Sequence, residues 1–600
     1  MNNQYTQSRF NCVRMKTREV KVGNIGIGKD NPIRIQSMTN TKTLDVEASV
    51  KQCIQLAEAG CDIIRLTAQN VEAARALKDI NKKFKAAGFT NPLVADIHFL
   101  PQAAMEAVEH VEKVRINPGN FADRKNGKLD YTDKEYNEEL ERVRERFLPF
   151  LKRCKELGRA IRLGTNHGSL SDRIINRYAD TPLGMVEAAL EFVRICEAEN
   201  FKDVVLSFKA SNTRVMTQAY RLAAKKMAEE GLDCPLHLGV TEAGFGKDAR
   251  IKSAMGIGGL LLDGIGDTIR VSLTEDPVKE VPVAIELAKF VEKFRAQKPV
   301  EQIDEGIDFY SYSKRESFAI DLGDKLEIGG NSQQTVCVNG KSDKAEICFD
   351  NSGKCKNFEI AEYKKGESQK LKDDLNSGKK LALKISNEDL QNEFIDVLKT
   401  APKNFAVISP KPVCGRHFVG ETRRTAAILK KEGINAPIFI MANSDVLTSK
   451  TPEEKLNEAS IYLGALLCDG IGDLELVEVS SKADENAEDT LAILQAARAR
   501  RSKAEYIACP SCGRTLYNIQ ETAKKIEART KHLKDVTIGI MGCIVNGPGE
   551  MADADFGYVG GAPGKINLYK GKQCVKMNIP QENAIDELLK LIEQYKPSGK

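Results

Sequence analysis

The sequence lacks any apolar stretch long enough to cross a membrane, and Met1 to Val22 has neither a signal-peptide core nor a long Arg/Ser-rich stretch. No charge sign dominates, since 89 Lys and Arg face 85 Asp and Glu, a net charge of +4. That excess argues against nucleic acid as a partner and leaves room for a small anionic ligand. These absences predict a cytoplasmic protein without membrane association.

Histidines and paired cysteines are also scarce. The 600 residues contain 6 histidines, and most of the 15 cysteines are isolated on apolar stretches. Scattered cysteines in a cytosolic chain predict buried free thiols and argue against a disulfide framework. Clustered cysteines would instead indicate metal or redox chemistry. Because a chain of this length needs more than one core, we expect two to four domains.

Eight short β-branched runs alternate with helical patterns in the first half of the chain. The runs are 33–37, 63–67, 93–97, 114–117, 160–164, 204–209, 236–241 and 268–273. Segments with 3.6-residue periodicity, such as 46–59 and 182–198, lie between most of them. Eight strand–helix units in about 250 residues predict an α/β fold, a (β/α)8 TIM barrel. We assign residues 1–295 to this domain.

Polar residues gather at the carboxyl ends of these runs. They are Arg65, Asp96, Arg115, Asn117, Arg162, Asn166, Lys209, Glu242, Arg270 and Ser272. Arg115 and Asn117 are two residues apart, so their side chains point to the same side of a strand. Strand ends at a surface are often polar, but the amino ends of these runs carry no such series of arginines. Since TIM barrels place active sites at the carboxyl rim, we predict a ligand site there.

One motif occurs twice. Gly258-Gly-Leu-Leu-Leu-Asp-Gly-Ile-Gly-Asp267 returns as Gly464-Ala-Leu-Leu-Cys-Asp-Gly-Ile-Gly-Asp473, with eight of ten positions identical. The repeat predicts that residues 296–494 form an inserted, barrel-like domain, a duplicated and eroded copy of the first. Arg270 corresponds to Leu476 in this copy. We therefore interpret the middle domain as a structural spacer.

Clustered cysteines mark residues 495–600, which we predict to form an α/β domain. Cys509 and Cys512 form a CxxC pair, and Cys543 follows 31 residues after Cys512, shortly before Glu550. A structural zinc site usually needs a second ligand pair, which is missing here. Three thiolates suit three irons of a [4Fe–4S] cubane and leave the fourth iron open. A ligand or acid role for Glu550 is therefore credible.

Six motifs in this order resemble the 4-hydroxy-3-methylbut-2-enyl diphosphate synthases. They are Gln36-Ser-Met-Thr-Asn40, Asn166-His-Gly-Ser-Leu170, His237-Leu-Gly-Val-Thr-Glu-Ala-Gly244, Gly264-Ile-Gly-Asp-Thr-Ile-Arg-Val-Ser-Leu273, Cys509-Pro-Ser-Cys-Gly-Arg514 and Asn546-Gly-Pro-Gly-Glu550. With its inserted middle region, the chain is similar to the three-domain form of that family. Cys414 partly repeats the CxxCGR motif, but as a single thiol it is predicted to have no function.

The resemblance implies reductive ring opening and dehydroxylation of 2-C-methyl-D-erythritol 2,4-cyclodiphosphate to 4-hydroxy-3-methylbut-2-enyl diphosphate, in non-mevalonate isoprenoid synthesis. It implies two electrons from flavodoxin or ferredoxin, delivered through a [4Fe–4S] cluster.

The resemblance also assigns roles to residues. It implies that Cys509, Cys512, Cys543 and Glu550 hold the cluster, and that Arg65, Arg115, Arg162, Lys209 and Ser272 bind the diphosphate. Asp96, Asn117, Asn166 and Glu242 fall on matched rim positions. We expect Glu242 and Glu550 to act in catalysis, and the other rim residues, including Arg270, to bind substrate.

Three alternatives stay open at this point. A pterin-binding barrel with an iron–sulfur partner in methyl transfer shares the polar rim, although it needs fewer cations. An electron carrier would have four cysteine ligands, and a sulfite-reductase-like half would need a large basic cleft. Because the barrel rim has no cysteine group, the C-terminal domain must close over a barrel mouth. The sequence leaves open whether that barrel is its own or a partner's, and whether the chain forms a homodimer.

Overall fold

Two units make up the part of the chain that the structure, a computed structural model, describes. Described are residues 4–97, 99–123, 127–128, 130–300, 302–412, 416–545, 547–551 and 553–595. The barrel unit comprises Lys16–Ser253, Ile265–Ala288 and the chain from Lys503 onward. The middle unit comprises the chain up to Met15, Ala254–Gly264 and Lys289–Ser502. Cys414 and Asn546 lie outside the described residues.

The N-terminal sheet of the barrel unit is a nearly closed parallel barrel. A hairpin of β1 (Val20–Val22) and β2 (Ile25–Ile27) precedes it. The barrel strands are β3 (Arg34–Met38), β4 (Ile63–Thr67), β5 (Leu93–Asp96), β6 (Lys113–Ile116), β7 (Ala160–Asn166), β8 (Val204–Lys209), β9 (His237–Leu238) and β10 (Thr268–Ile269). Their order is β8-β7-β6-β5-β4-β3-β10-β9, and a parallel bridge between Leu206 and Leu236 joins the two ends. The TIM-barrel prediction is confirmed, although β9 and β10 are shorter than the predicted runs.

Helices connect the strands, as the periodicity predicts. They are α1 (Val46–Glu58), α2 (Val71–Ala86), α3 (Pro101–Ala107), α4 (Pro118–Phe121), α5 (Asp133–Leu157), α6 (Asp172–Tyr178), α7 (Pro182–Ala198), α8 (Thr213–Glu229), α9 (Gly246–Ser253), α10 (Gly259–Leu262) and α11 (Glu280–Glu292). Many begin at a residue whose side chain caps free backbone N–H groups: Asp45 accepts from Ala48 N in α1, and Thr132 forms a capping box with Glu135 in α5. These caps explain why the helices begin where they do.

A second barrel-like sheet lies in the middle unit. Its strands follow the hairpin of β11 (Ala319–Gly323) and β12 (Leu326–Gly329), and are β13 (Thr335–Asn339), β14 (Ile347–Phe349), β15 (Lys354–Cys355), β16 (Phe358–Glu362), β17 (Lys380–Lys384), β18 (Phe405–Ile408), β19 (Ile438–Ala442) and β20 (Leu474–Val477). Its helices are α12 (Ser368–Asn376), α13 (Asn387–Asp389), α14 (Ile395–Thr400), α15 (Phe418–Lys431), α16 (Pro452–Cys468) and α17 (Ala483–Ala496). All strand pairs except β15–β16 are parallel, which confirms the predicted barrel-like fold.

The two copies of the repeated motif pack reciprocally within the middle unit. A Cβ on Gly258 would come 2.5 Å from Ile461, and one on Gly464 would come 2.2 Å from Met255. Met255 and Ile461 occupy equivalent positions, three residues before the two copies, since both pairs are 206 residues apart. The first glycine of each copy therefore packs against the side chain that precedes the other copy. Such close approach leaves no room for a larger residue at either glycine.

The C-terminal domain, part of the barrel unit, is a mixed five-stranded sheet with helices. Its strands are β21 (Glu505–Ala508), β22 (Thr537–Met541), β23 (Phe556–Ala562), β24 (Lys565–Lys570) and β25 (Gln573–Pro580), and its helices are α18 (Ile519–Thr530), α19 (Gly547–Glu550) and α20 (Gln581–Tyr595). β21, β22 and β23 are parallel, and β23, β24 and β25 are antiparallel. The predicted α/β class is confirmed. Among the described residues, no helix combines the length and apolar character needed to span a membrane.

Candidate active site

A cavity lies where the barrel's carboxyl rim meets the C-terminal domain. From the barrel it is lined by Met38, Arg65, Asp96, Arg115, Arg162, Asn166, Ser207, Lys209, Thr241, Glu242, Arg270 and Ser272. From the C-terminal domain it is lined by Cys509, Pro510, Ser511, Cys512, Arg514, Thr515, Met541, Gly542, Cys543, Gly547 and Glu550. Residues predicted from two distant parts of the sequence thus face one space.

Asn117 is the predicted site residue that does not line this cavity. It follows β6 directly, and its side chain accepts a hydrogen bond from Gly119 N over 3.1 Å, which caps α4. Pro118 is the first residue of that helix and suits it, because a first-turn proline has no N–H to satisfy. The side chain of Asn117 is therefore engaged in starting a helix.

Five buried cations of the barrel face the cavity, each at most 7% exposed: Arg65, Arg115, Arg162, Lys209 and Arg270. Two have carboxylate partners. Arg115 Nη1 lies 3.1 Å from Asp96 Oδ1, and Arg270 Nε lies 3.4 Å from Glu280 Oε2. The remaining cations have no such ion pair among the described residues, so positive charge is in excess here.

Burial and repulsion between like charges destabilise the charged forms of these side chains. Burial, followed by the nearby Arg162 and Arg65, lowers the pKa of Lys209 well below its ordinary value. Burial also lowers the pKa of Arg65 to about 10, with Arg270 and Arg115 adding to the effect. Within the described residues, Arg162 Nε and Nη1 have no hydrogen-bond partner. Buried cations without partners are costly, so the arrangement favours an anionic ligand.

Two glycines make room for the cations. A Cβ on Gly164 would lie 2.8 Å from Arg115 Nε, and a Cβ on Gly239 would lie 2.7 Å from Lys209 Nζ. Gly164 is in β7 and Gly239 directly follows β9. Both long side chains therefore occupy space that a side chain on the neighbouring strand would fill.

Two tight loops of the C-terminal domain present the thiols. Between Cys509 and Cys512, Ser511 has φ +74°, and Cys512 N donates to Thr515 Oγ1 over 3.1 Å. Gly542 N donates to Cys509 Sγ over 3.2 Å. A backbone N–H on a cysteine sulfur stabilises its thiolate, which suits a metal-binding cysteine.

The three thiols share one environment. Burial raises the pKa of Cys509, and the nearby Glu242 and Cys512 raise it further. Burial also raises the pKa of Cys543, where Arg514 opposes the effect and Cys512 adds to it. Among the residues with assigned positions, no three His, Cys, Asp or Glu side chains converge closely enough to hold a single metal ion. The three thiols line one cavity, without forming a single-ion site within the described residues.

Two carboxylates meet at the boundary of the two domains. Asn166 Nδ2 donates to Glu550 Oε1 over 2.7 Å. Glu242 has φ +52°, an unusual backbone for a residue with a side chain, and it accepts a hydrogen bond from Thr241 Oγ1 over 3.2 Å. Burial raises the pKa of Glu242 well above its ordinary value, and the adjacent Glu550 adds to the effect. A protonated Glu242 beside a carboxylate can donate a hydrogen bond.

Arg514 is a site residue that the sequence analysis did not select, although it stood in the CxxCGR motif. Burial alone would lower its pKa, but the nearby Cys512, Asp96, Cys543 and Glu550 raise it overall. It adds a sixth cation to the cavity, from the opposite wall. The arginine directly after the CxxCG turn was the available signal.

Two known protein-family domains match this chain, one over the barrel and one over the C-terminal domain. The GcpE TIM-barrel domain matches residues 17–285, and the GcpE protein C-terminal domain matches residues 505–594. The 4-hydroxy-3-methylbut-2-en-1-yl diphosphate synthase (flavodoxin) of Leptospira interrogans is 45% identical, covering 99% of this chain and 98% of its own. The enzyme of the same name from Akkermansia muciniphila is 46% identical, with 99% of each chain covered.

The chain belongs to the 4-hydroxy-3-methylbut-2-en-1-yl diphosphate synthase family. The resemblance found in six motifs is thereby confirmed, as is the prediction of an oxidoreductase. Synthases of this family are enzymes, which sets aside the electron-carrier alternative. Because these relatives align over nearly the whole chain, the similarity extends through the middle region, which neither family domain covers.

Proposed function

We propose that this chain reduces 2-C-methyl-D-erythritol 2,4-cyclodiphosphate to 4-hydroxy-3-methylbut-2-enyl diphosphate, with flavodoxin as the electron donor. Two electrons and the accompanying protons cleave the ring's carbon–oxygen bond at the tertiary carbon and release the neighbouring secondary hydroxyl as water, leaving a double bond between the two carbons. The observation that carries the proposal is one cavity with buried cations on its barrel wall and three thiols on its C-terminal wall. Cations that bind an anion on one side, facing thiols that can hold a redox centre on the other, suit the reduction of a diphosphate.

The barrel cations bind the diphosphate in this proposal. Arg162 and Lys209 lack ion-pair partners among the described residues, so phosphate oxygens would supply the missing negative charge. Guanidinium groups match phosphate geometry by donating two parallel hydrogen bonds. Asp96 and Glu280 hold Arg115 and Arg270 in place through ion pairs. Ser272, also in the lining, is a further hydrogen-bond donor.

A [4Fe–4S] cluster fits the opposite wall. Cys509, Cys512 and Cys543 would hold it, with Glu550 as a displaceable fourth ligand. The fit is supported by the position of all four residues around one cavity and by the N–H of Gly542 on Cys509 Sγ. When bound, such a cluster supplies single electrons at low potential. A carboxylate is a weaker partner than thiolate for this centre, so Glu550 would leave more readily.

The remaining polar residues position groups and move protons. Asn166 holds the carboxylate of Glu550 on the barrel rim over 2.7 Å. Glu242 faces the same cavity next to Glu550 and is placed to pass a proton to a departing hydroxyl. The C-terminal domain covers the cavity and limits the access of water to this proton.

Anaerobic purification tests the proposal. The protein should contain about four iron and four sulfide per chain, as a [4Fe–4S] cluster requires. The electron paramagnetic resonance spectrum of the reduced protein should change when the cyclodiphosphate is added, and the linear diphosphate should accumulate. Bound zinc, or a reduced spectrum that the cyclodiphosphate leaves unchanged, would contradict it.

A further inference from the structure

A second groove in the barrel unit shares Cys543 and Arg514 with the active-site cavity. Its lining also includes Lys42 and Leu44 from the barrel and Ile544 from the C-terminal domain. We call it the Cys543 groove. Because Cys543 lines both spaces, this groove is a direct approach from the surface to the thiols.

Apolar side chains are exposed on the Cys543 groove. Leu44 is 49% exposed and Ile544 is 50% exposed, and both are among the few large apolar residues of the described chain that solvent reaches to this extent. They come from different domains of the unit and line one surface. Exposed apolar residues grouped in this way are typical of a surface that a partner covers.

The charge of the groove has one sign. Its lining contains Lys42 and Arg514 and no carboxylate. Two exposed carboxylates flank the lining, Asp45 at the N-cap of α1 and Glu72 in the first turn of α2. Within the lining itself the charges are cationic, and an apolar lining with cations fits a partner whose face is apolar and acidic.

Another groove of the same unit gives a comparison. Its lining contains Lys247, Arg250, Lys279, Lys503 and Lys524, but also Asp248, Glu275, Asp276 and Glu527. Arg250 lies 2.6 Å from Glu275, and Lys503 lies 2.6 Å from Asp248. No cysteine lines this groove. Its five cations face four carboxylates, so it lacks both the single charge sign and the cysteine that mark the Cys543 groove.

We propose that the Cys543 groove is the docking surface for the flavodoxin electron donor, and that the donor binds it through an apolar and acidic face next to its flavin. The inference rests on the proposed function. Each encounter oxidises one reduced flavodoxin by one electron, so two encounters supply the two electrons of the reaction. Docking here places the flavin next to Cys543, and Lys42 steers the approach of the acidic face.

Two variants, Lys42→Glu and Leu44→Glu, test the surface in the full-length holoenzyme. Turnover of the cyclodiphosphate is measured with reduced flavodoxin and, separately, with reduced methyl viologen, which needs no docking surface. Each variant should raise the KM for flavodoxin by about tenfold, the effect of losing about 1.4 kcal/mol of binding. The rate with methyl viologen and the iron content should stay unchanged. Lys524→Glu, in the other groove, is the matched control and should leave the KM unchanged.

The outcomes separate the two proposals. If the wild-type protein does not convert the cyclodiphosphate even with methyl viologen, the proposed function is wrong. If both donors work and neither groove variant changes the KM for flavodoxin, the function stands and the docking surface lies elsewhere. A raised KM in Lys524→Glu alone would assign docking to the other groove. Should Leu44→Glu lose iron, Lys42→Glu decides, because Lys42 is exposed.

Discussion

Asn166, at the end of β7, donates a hydrogen bond across 2.7 Å to Glu550 of the C-terminal domain. The two residues are 384 positions apart in the chain. A barrel strand thus fixes the carboxylate that we propose as the displaceable cluster ligand, and the contact joins the two walls of the cavity.

Asn166→Leu removes this donor while keeping a side chain of similar size. We expect activity to fall at least tenfold, since a hydrogen bond to a charged group is worth about 1.5–3 kcal/mol. Iron content should stay at the wild-type level, because the three thiols remain. Iron analysis and turnover with methyl viologen check both expectations. Loss of iron in this variant would show that Asn166 supports the cluster and not the reaction.

The cysteines make a second prediction. Cys509→Ala, Cys512→Ala and Cys543→Ala should each lose the cluster and the activity. Cys574→Ala is the matched control, because Cys574 lies in β25 and does not line the cavity. We expect it to keep both. Full iron content in Cys543→Ala would contradict the ligand assignment.

The rim cations should act on the substrate more than on folding. Lys209→Leu is expected to raise the dissociation constant of the cyclodiphosphate by roughly ten- to a hundredfold, the effect of one lost charge-assisted contact. The melting temperature should not fall, because burial and like charges already disfavour the ammonium group. Arg115→Leu should weaken binding and also lower the melting temperature, since it breaks the ion pair with Asp96. Calorimetry of binding and unfolding measures both.

The barrel was predictable because its strands are short, β-branched and regularly separated by helices. The polar strand ends were predictable because the fold brings all carboxyl ends to one rim. Strand alternation placed Asn117 on the same side as Arg115, but the next residue begins α4 and the side chain of Asn117 caps that helix, so its substrate role stays a prediction. The alternation of side chains along a strand identifies the face to which each side chain points, but it does not show where the strand ends.

Arg514 was visible in the CxxCGR motif, but its place in the cavity was not, because that depends on contacts that only the tertiary fold makes. Asp96 of the barrel and Cys512 of its own loop both act on its charge. The repeat was visible in the sequence, but the reciprocal packing of Gly258 on Ile461 and Gly464 on Met255 was not, since similarity between segments does not say that they touch.

Mixing a variant without the cluster and a variant that binds substrate weakly, at a substrate concentration far below the raised dissociation constant, tests whether one chain completes the site. Asn166 and Glu550 meet within a single chain here, and we predict that a single chain suffices. Cys543→Ala and Lys209→Leu, mixed under conditions that exchange subunits, should not recover activity, because neither chain holds both walls. Recovery to a substantial fraction of the wild-type rate would mean that sites form between chains.

Glu475 makes the stability of the middle unit depend on pH. It is fully buried, and its carboxyl oxygens have no hydrogen-bond partner within the described residues. Burial, together with Asp473, raises its pKa well above the ordinary 4.5. Above that pH the folded state keeps a proton that the unfolded chain releases, so the free energy of unfolding falls as pH rises.

Glu475→Gln removes this dependence. Relative to wild type, we expect no gain near pH 4.5 and a gain of about 1.4 kcal/mol per pH unit above it, until the folded pKa is reached. Urea unfolding followed by circular dichroism is suitable, since the chain has no tryptophan. Glu327→Gln, at an exposed position of β12, is the control. Equal pH profiles for wild type and Glu475→Gln would disprove the assignment.

Arg423 lies between the two copies of the repeated motif, with Nη1 2.6 Å from Asp263 and Nε 2.8 Å from Asp469. The two aspartates are equivalent positions, yet a single arginine serves both. Copies on separate, symmetric chains would have to meet through a self-complementary surface, in which every contact occurs twice. When both copies belong to one chain, their contact surface does not need to be self-complementary. Met255 and Ile461 can then differ in shape, and each copy can change without an identical change in the other.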